Sequence, residues 1–240
     1  MKPLCIDLFC GLGGWTEGFL AEGWDVIGFD IEQHVYGEHR YPGQLVVQDV
    51  TTLHGSQFKT AALIVASPPC QEYSYMAMPW SRAKAKAKAI RADTTGKELE
   101  RLNRLFNACF HIQKEASFAA GHVVPLVVEN VRGAIPWVGR SRWNFGSFHL
   151  WGDVPALMPF RQGRIGVKEM HGSGMGGGRI FGKHNPHLDG IKCGGDWFNS
   201  EQPSISRTTS SGSPARARAS AMIAKIPLPL SRHIGATFRP

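Results

Sequence analysis

Leu4-Cys5-Ile6-Asp7-Leu8-Phe9-Cys10-Gly11-Leu12-Gly13-Gly14 is the stretch that decides the fold. A short apolar run breaks into a glycine-dense turn, and a helix-like segment follows. Working outward, further runs rich in Val, Ile, Leu and Phe occur at 24–30, 45–48, 61–66 and 126–129. Runs that short and continuous suit strands buried on both faces of a parallel sheet. Between the fourth and fifth, residues 97–120 repeat apolar residues at three- and four-residue steps: Leu99, Leu102, Leu105, Phe106, Cys109 and Phe110. That stripe predicts a helix packed on one face and stopped at Gly121. Glu100 and Arg104 are spaced to add an i,i+4 ion pair. Strand alternating with helix predicts an α/β fold with a parallel sheet.

The whole sequence fits that reading. Of 240 residues, 42% are hydrophobic and 19% charged, a globular composition rather than a disordered one. The longest apolar runs, 61–66 and 123–128, fall far short of the ~20 residues that span a membrane. An acid at Asp7 interrupts the N-terminus too early for a signal-peptide core. Five cysteines without paired spacing suit a reducing cytoplasm, and no CxxC or HxxxH pair points to zinc. With 27 Lys and Arg against 19 Asp and Glu, the net charge of +8 favours a polyanionic partner, most often nucleic acid.

Three constellations carry chemistry. In the first, glycines 11, 13 and 14 permit positive φ and close approach of a ligand to the backbone at a helix N-terminus. Asp30, closing the second run, stands where such folds grip a ribose hydroxyl. Thr16 occupies the last position of a strict GxGxxG, and a glycine turn is as often structural as ligand-binding. In the second, Ser67-Pro68-Pro69-Cys70-Gln71 follows the fourth strand. Parallel sheets place their active-site loops at such carboxyl ends, and two prolines stiffen the approach of the thiol. A cysteine in a turn is often only a small buried residue; on a stiff loop at the ligand edge it has the setting of a nucleophile. In the third, Val127-Val128-Glu129-Asn130-Val131 ends the fifth strand. Glu129 could merely cap the next helix, but on the same edge as Cys70 it makes a thiolate–acid pair.

Together these blocks resemble the DNA (cytosine-5)-methyltransferase family. Asp7 to Gly14 resembles its first cofactor motif, Pro69-Cys70-Gln71 its nucleophile motif and Glu129-Asn130-Val131 its glutamate motif, in the family's order. Phe29-Asp30-Ile31 is similar to the second-strand acid and the apolar residue that packs on adenine, and Gln48-Asp49-Val50 to the third motif. Near the C-terminus, 223–230 resembles the final motif, with Ile223-Ala224 where Gly-Asn is usual. The resemblance implies a Rossmann-like S-adenosylmethionine-dependent methyltransferase fold with a small loop-rich target-recognition region. It implies three parts: a catalytic and cofactor-binding domain over 1–154, the recognition region over 155–219, and a segment over 220–240 that packs back on the catalytic domain.

The resemblance also implies the roles. Cys70 adds to C6 of a flipped-out cytosine, and Glu129 serves N3. The cofactor, S-adenosylmethionine, is held by Asp7, Phe9, Gly11, Gly13, Gly14, Asp30, Ile31, Asp49, Val50 and Pro69. The nearest match to the arginine pair at the cytosine carbonyl is Arg140 and Arg142, closer to Glu129 than the family usually allows; Arg161 and Arg164 are rivals. Gln71 and the basic run Arg82, Lys84, Lys86 and Lys88 are the expected DNA contacts, although such a run also suits a solvated helix face. Strict alternation keeps the three lysines off a single helical face. The expected partner is double-stranded DNA, with no membrane, and the expected protein is a cytoplasmic monomer of a bacterium or a virus-infected host cell. Three alternatives stay open. One is a cytosine-5 methyltransferase acting on transfer RNA, and another a catalytically decayed DNA-binding relative. The third, a nicotinamide-dependent oxidoreductase, leaves Pro69-Cys70-Gln71 without a role.

Overall fold

In a computed structural model the described residues are 2–74, 80–158, 210 and 212–240, without the side chains of Ala215, Arg216 and Ala219. They begin with β1 (Leu4–Leu8), α1 (Gly14–Ala21), β2 (Asp25–Asp30), a small hairpin of β3 (Val35–Tyr36) and β4 (His39–Arg40), β5 (Gln44–Val47) and β6 (Leu63–Ala66). Next come α2 (Trp80–Ala92), α3 (Lys97–Ala120), β7 (Leu126–Val131), α4 (Ile135–Val138), β8 (Trp143–Phe145) and β9 (Phe148–Gly152). Two helices, α5 (Pro214–Ala224) and α6 (Leu228–Phe238), lie near the C-terminus. Seven strands form one sheet in the order β5-β2-β1-β6-β7-β9-β8. The pairings from β5 through β7 are parallel, while β9 runs antiparallel to both its neighbours. This is an α/β, Rossmann-like sheet.

The central strands read as unbroken apolar runs because both faces are covered. Leu102, Phe106, Cys109, Ile112 and Ala116 of α3 pack with Ile6, Leu8, Ile64, Leu126 and Val128 on one side. Trp15 and Phe19 of α1, with Leu230 and Ile234 of α6, pack with Cys5, Leu63, Val65 and Val127 on the other. Helix α3 covers the range its apolar stripe predicts and stops at Gly121, whose φ of 73° suits glycine. Two details of the sequence reading change. Leu99, expected on the buried stripe, is exposed. Glu100 and Arg104 form no ion pair; Arg101 instead reaches Glu98 at 3.2 Å.

Helix α6 lies tightly across α1. A Cβ at Gly18 would stand 2.1 Å from Ser231 Oγ, and one at Gly14 would stand 2.3 Å from the Ile226 nitrogen. The Trp24 indole donates to the Gly235 carbonyl at 2.9 Å. Lys225 pairs with Glu17, and Arg232 with Glu22. Strand β9 continues through Trp151 and ends at Gly152. Most of the expected recognition region, including Arg161, Arg164 and the glycines at 172–178, lies outside the described residues.

Candidate active site

Strand order reverses between β1 and β6: the chain proceeds outward through β2 to β5 on one side and through β7 on the other. In such sheets the ligand crevice opens at the carboxyl ends beside that reversal. Two expected motifs emerge there side by side. The Ser67 amide donates to the Leu8 carbonyl at 3.1 Å, and the Trp15 indole donates to Ser67 Oγ at 3.0 Å. The glycine turn and the Pro-Cys loop are thus bonded to each other at their roots.

The glycine turn needs its unusual backbone. Gly11 and Gly13 have φ of 51° and 75°, and even Phe9 is held at 56°. A Cβ at Gly13 would strike Pro42 at 2.4 Å, whereas one at Gly11 would meet nothing within 4 Å. Gly13 therefore serves packing, and Gly11 faces open space. The Gly11 amide donates to Asp30 Oδ2 at 2.8 Å, so the acid at the end of β2 is tied to the turn. The other Asp30 oxygen lies 3.4 Å from His34 Nε2. Burial alone would push the Asp30 carboxyl up, but the hydrogen bonds from His34 and Gly11 outweigh it and hold it below its ordinary value. Its hydrogen bond to Asp30 in turn raises His34. Ile31, the next residue, is 69% exposed, an apolar side chain left uncovered beside an ionised acid. An open glycine backbone, a fixed carboxylate and an uncovered apolar side chain fit a nucleoside-bearing cofactor.

Other expected cofactor residues have partners within the protein. Asp7 is wholly buried, and its Oδ2 accepts from Thr16 Oγ1 at 2.7 Å; Tyr41 OH lies 2.6 Å from the same hydroxyl. Burial pushes the Asp7 carboxyl up to about 8. Thr16, standing where a strict motif would have glycine, is the partner of that buried acid. Asp49 Oδ1 accepts from the Thr51 amide and hydroxyl, both at 2.8 Å, and those bonds hold its carboxyl below the ordinary range. Val50 is buried in the core, and Gly14 lies under Ile226.

Cys70 is half-buried on the loop after β6, with Pro68 buried and Pro69 and Gln71 exposed. Its carbonyl accepts from the amides of Tyr73 and Ser74 at 3.0 and 2.9 Å, which folds the chain after it into a tight turn. Tyr73 OH, buried, reaches the Leu102 carbonyl and Asn103 Oδ1 of α3 at 3.1 and 3.0 Å. The turn is therefore anchored to the long helix.

Glu129 stands on β7, next to β6 in the sheet, with Ala66 and Val128 in register. It is 5% exposed. The following residue ties the two loops together: Asn130 Nδ2 donates to the Pro68 carbonyl at 2.9 Å, while its Oδ1 accepts from the Val131 amide at 2.8 Å. Asn130 is wholly buried and links the strand end carrying Glu129 to the loop carrying Cys70. Among the expected catalytic residues, the fold brings Cys70 and Glu129 to one edge, beside the glycine turn and Asp30.

Arg140 and Arg142 are not brought to that edge. The Arg142 amide donates to the Leu150 carbonyl, and Leu150 is in register with Glu129 across β9. Residues before Trp143 therefore run back toward the amino ends of the parallel strands, two strand positions from β7. The basic helix α2 is also divided. Lys86 pairs with the Glu72 carboxylate and donates to its carbonyl at 3.0 Å; Lys84 sits over the Trp80 ring at 5.2 Å. Arg82 and Lys88 are exposed. Among the described residues no group of acids, histidines and cysteines could hold a metal ion, and no helix is long and apolar enough to cross a membrane.

Residues 4–93, from β1 through the Pro-Cys loop and α2, match the family model of C-5 cytosine-specific DNA methylases. No curated protein matches the chain. Similar solved structures include a prophage-encoded E. coli protein whose name is that of a DNA modification methyltransferase, at 24% identity and a TM-score of 0.34. The S. pombe Dnmt2 methyltransferase is 14% identical, with a TM-score of 0.33, and the Entamoeba histolytica methyltransferase EhMeth 16% identical, with 0.34. These alignments cover 56%, 56% and 55% of this chain, and 33%, 36% and 39% of those chains. The chain thus spans only about a third of the length of these structures.

Sequence reading overlooked the residues that join the motifs: Asn130, Ser67, Trp15, Tyr73 and His34. Only Asn130 carried a visible signal, a polar side chain directly after the acid at the end of an apolar strand. The contacts of Ser67, Trp15 and Tyr73 join residues distant in sequence and become visible only once the strands are ordered, while His34 is one helical-turn spacing from Asp30 in a segment that is not helical.

Proposed function

We propose that this chain is a DNA cytosine-5 methyltransferase, with Cys70 as nucleophile and Glu129 as the acid at cytosine N3. The observation that supports the reading is the Asn130–Pro68 hydrogen bond. Through it, one buried side chain couples the thiol's loop to the acid's strand at the ligand edge of the sheet.

C5 of cytosine is a poor nucleophile, and covalent addition at C6 divides the difficult step in two. The Cys70 thiolate adds to C6, so that the ring's electrons gather at C5, while Glu129 shares or donates a proton at N3. S-adenosylmethionine, when bound, supplies an electrophilic methyl group for that carbon. Loss of the C5 proton to a water base then re-forms the C5–C6 double bond, expels Cys70 as thiolate and returns the N3 proton to Glu129. On this reading Gly11 offers open backbone to the cofactor, Asp30 a charged acceptor and Ile31 an apolar surface. The target base must leave the duplex stack, at a cost of a few kcal/mol, and basic side chains offset that cost through phosphate contacts.

The test is transfer of labelled methyl from S-adenosylmethionine to duplex DNA containing cytosine, with transfer RNA assayed alongside. Acid-stable label on C5 of duplex cytosine supports the reading. Label on transfer RNA alone moves the substrate, and no label on either removes the activity. Cys70→Ala should abolish both transfer and covalent trapping on 5-fluorocytosine DNA.

A further inference from the structure

The two arginines set away from the reaction edge line a recess of about 440 Å³ between α3 and the β8–β9 hairpin. Phe106, Asn107 and Phe110 of α3 line it together with Trp151 and Gly152 of β9 and with Val138, Arg140 and Arg142. No acid is among these residues. Both arginines are exposed, and among the described residues no carboxylate pairs with either.

The loop that presents them is fixed at three successive points. The Trp151 indole donates to the Gly139 carbonyl at 3.0 Å, Ser141 Oγ lies 2.9 Å from His149 Nδ1, and the Arg142 amide donates to the Leu150 carbonyl at 2.8 Å. Ordinary surface arginines sit on mobile stems and are balanced by neighbouring acids. Here two guanidinium groups rise from a pinned backbone with no described counter-charge, in a chain of net charge +8. Planar guanidinium forks match phosphate oxygens bidentately, and a pre-fixed backbone lowers the ordering cost of such contacts.

We infer that the Arg140–Arg142 recess is a phosphodiester-binding site that grips the DNA backbone away from the reacting base. This rests on the proposed DNA substrate and gives the two arginines a positioning role rather than a catalytic one. Phosphate contacts fix the register of a protein on its duplex without reading its sequence.

The experiment measures binding of the full chain to a fluorescent duplex over a range of salt concentrations, for the natural sequence, an Arg140→Gln/Arg142→Gln variant and an Arg140→Lys/Arg142→Lys variant. Thermal melting checks that each variant is folded. Removing one phosphate contact should flatten the slope of log affinity against log salt by about 0.9 and weaken binding roughly tenfold near 0.1 M salt. The lysine variant should keep most of the slope. Labelled-methyl turnover at saturating DNA should change little in the glutamine variant, because the loss is in binding. Natural chain that binds with an unchanged slope in the glutamine variant overturns this inference alone. A large fall in saturated turnover with an unchanged slope also overturns it, and points to contact with the base. Failure of the natural chain to bind duplex overturns both this inference and the proposed substrate.

Discussion

The side-chain amide of Asn130 donates to the backbone carbonyl of Pro68 at 2.9 Å, joining the ends of two adjacent parallel strands. A proline contributes no amide of its own, so an X-Pro-Pro loop has few backbone donors with which to fix itself. Asn130 supplies the missing donor from the next strand, while its other end is held by the Val131 amide. Removing the amide leaves a buried carbonyl unsatisfied, at a cost of about 1–3 kcal/mol. It also lets the thiol's loop drift from the acid, and a 1 Å displacement can cost about 10²-fold in rate. Asn130→Ala should therefore slow trapping on 5-fluorocytosine DNA by about 10²-fold while S-adenosylmethionine affinity, measured by calorimetry, changes little. An equal loss in both measurements would show general unfolding of the edge.

Asp7 yields a prediction about pH. Burial raises its carboxyl to about 8 in the folded chain, against an ordinary value of 3.8. Between those values the folded chain keeps a proton that the unfolded chain has released. Stability from this group is fully present below pH ~4 and is lost as pH rises through about 8, with a limiting slope of ~1.4 kcal/mol per pH unit. Asp7→Asn cannot release that proton. Urea unfolding of the two chains across pH 4–9 should show the natural sequence losing stability relative to the variant as pH rises. Parallel curves would mean that Asp7 stays ionised.

Gly14 and Gly18 give a stability test of the contact between α1 and the C-terminal segment. At Gly14 the obstacle to a Cβ is the Ile226 backbone, with its nitrogen at 2.3 Å and carbonyl oxygen at 2.8 Å; at Gly18 it is chiefly the small Ser231 side chain. Overpacking of this kind costs about 1–3 kcal/mol. Gly14→Ala should lower the urea midpoint and resist rescue. Gly18→Ala should do the same and recover in part with Ser231→Gly, which removes the obstructing Oγ and Cβ. The Arg232 nitrogen, 2.6 Å from the added Cβ, limits that recovery. Equal recovery of both variants by Ser231→Gly would contradict the contact map.

Much of this was legible in the sequence because parallel-sheet strands announce themselves. Residues 61–66 and 126–129 could hardly be anything but buried strands, and Leu102, Phe106 and Cys109 set the buried face of α3 by spacing alone. The motif loops followed, since carboxyl ends of strands are where such sheets place their ligands. The β8–β9 hairpin escaped because Trp143–Phe145 is too short for a periodic signal and its pairing partner is antiparallel. Arg140 and Arg142 match the family's arginine pair by their Arg-x-Arg pattern, but they precede β8, whose start lies toward the amino ends of the parallel strands. Thr16 read as a departure from a glycine pattern, when its hydroxyl is the partner of a buried acid nine residues earlier. Spacing reveals which face a residue takes, whereas a hydrogen bond between distant loops depends on strand order.

The alternating lysines of α2 should separate functionally. Lys86 is held by Glu72, two residues beyond Cys70, and its hydrogen bond is the main cause that keeps the Glu72 carboxyl below the ordinary range. Arg101 stands 3.7 Å from the same carboxylate. Lys86 is therefore already occupied in the free protein, as part of the anchor for the turn after the thiol. Lys88, one step along the alternation, is exposed on another side of the helix. Loss of Lys88 should flatten the salt dependence of duplex binding by about 0.9 per phosphate contact, with trapping at saturating DNA unchanged. Loss of Lys86 should slow trapping at saturating DNA, because Glu72 and the turn lose their partner, and should leave the salt slope nearly intact. Lys86→Ala and Lys88→Ala, each assayed for both quantities, check the division. If the two variants behave alike, the helix acts as one undivided basic face and Glu72 does not withhold Lys86 from DNA.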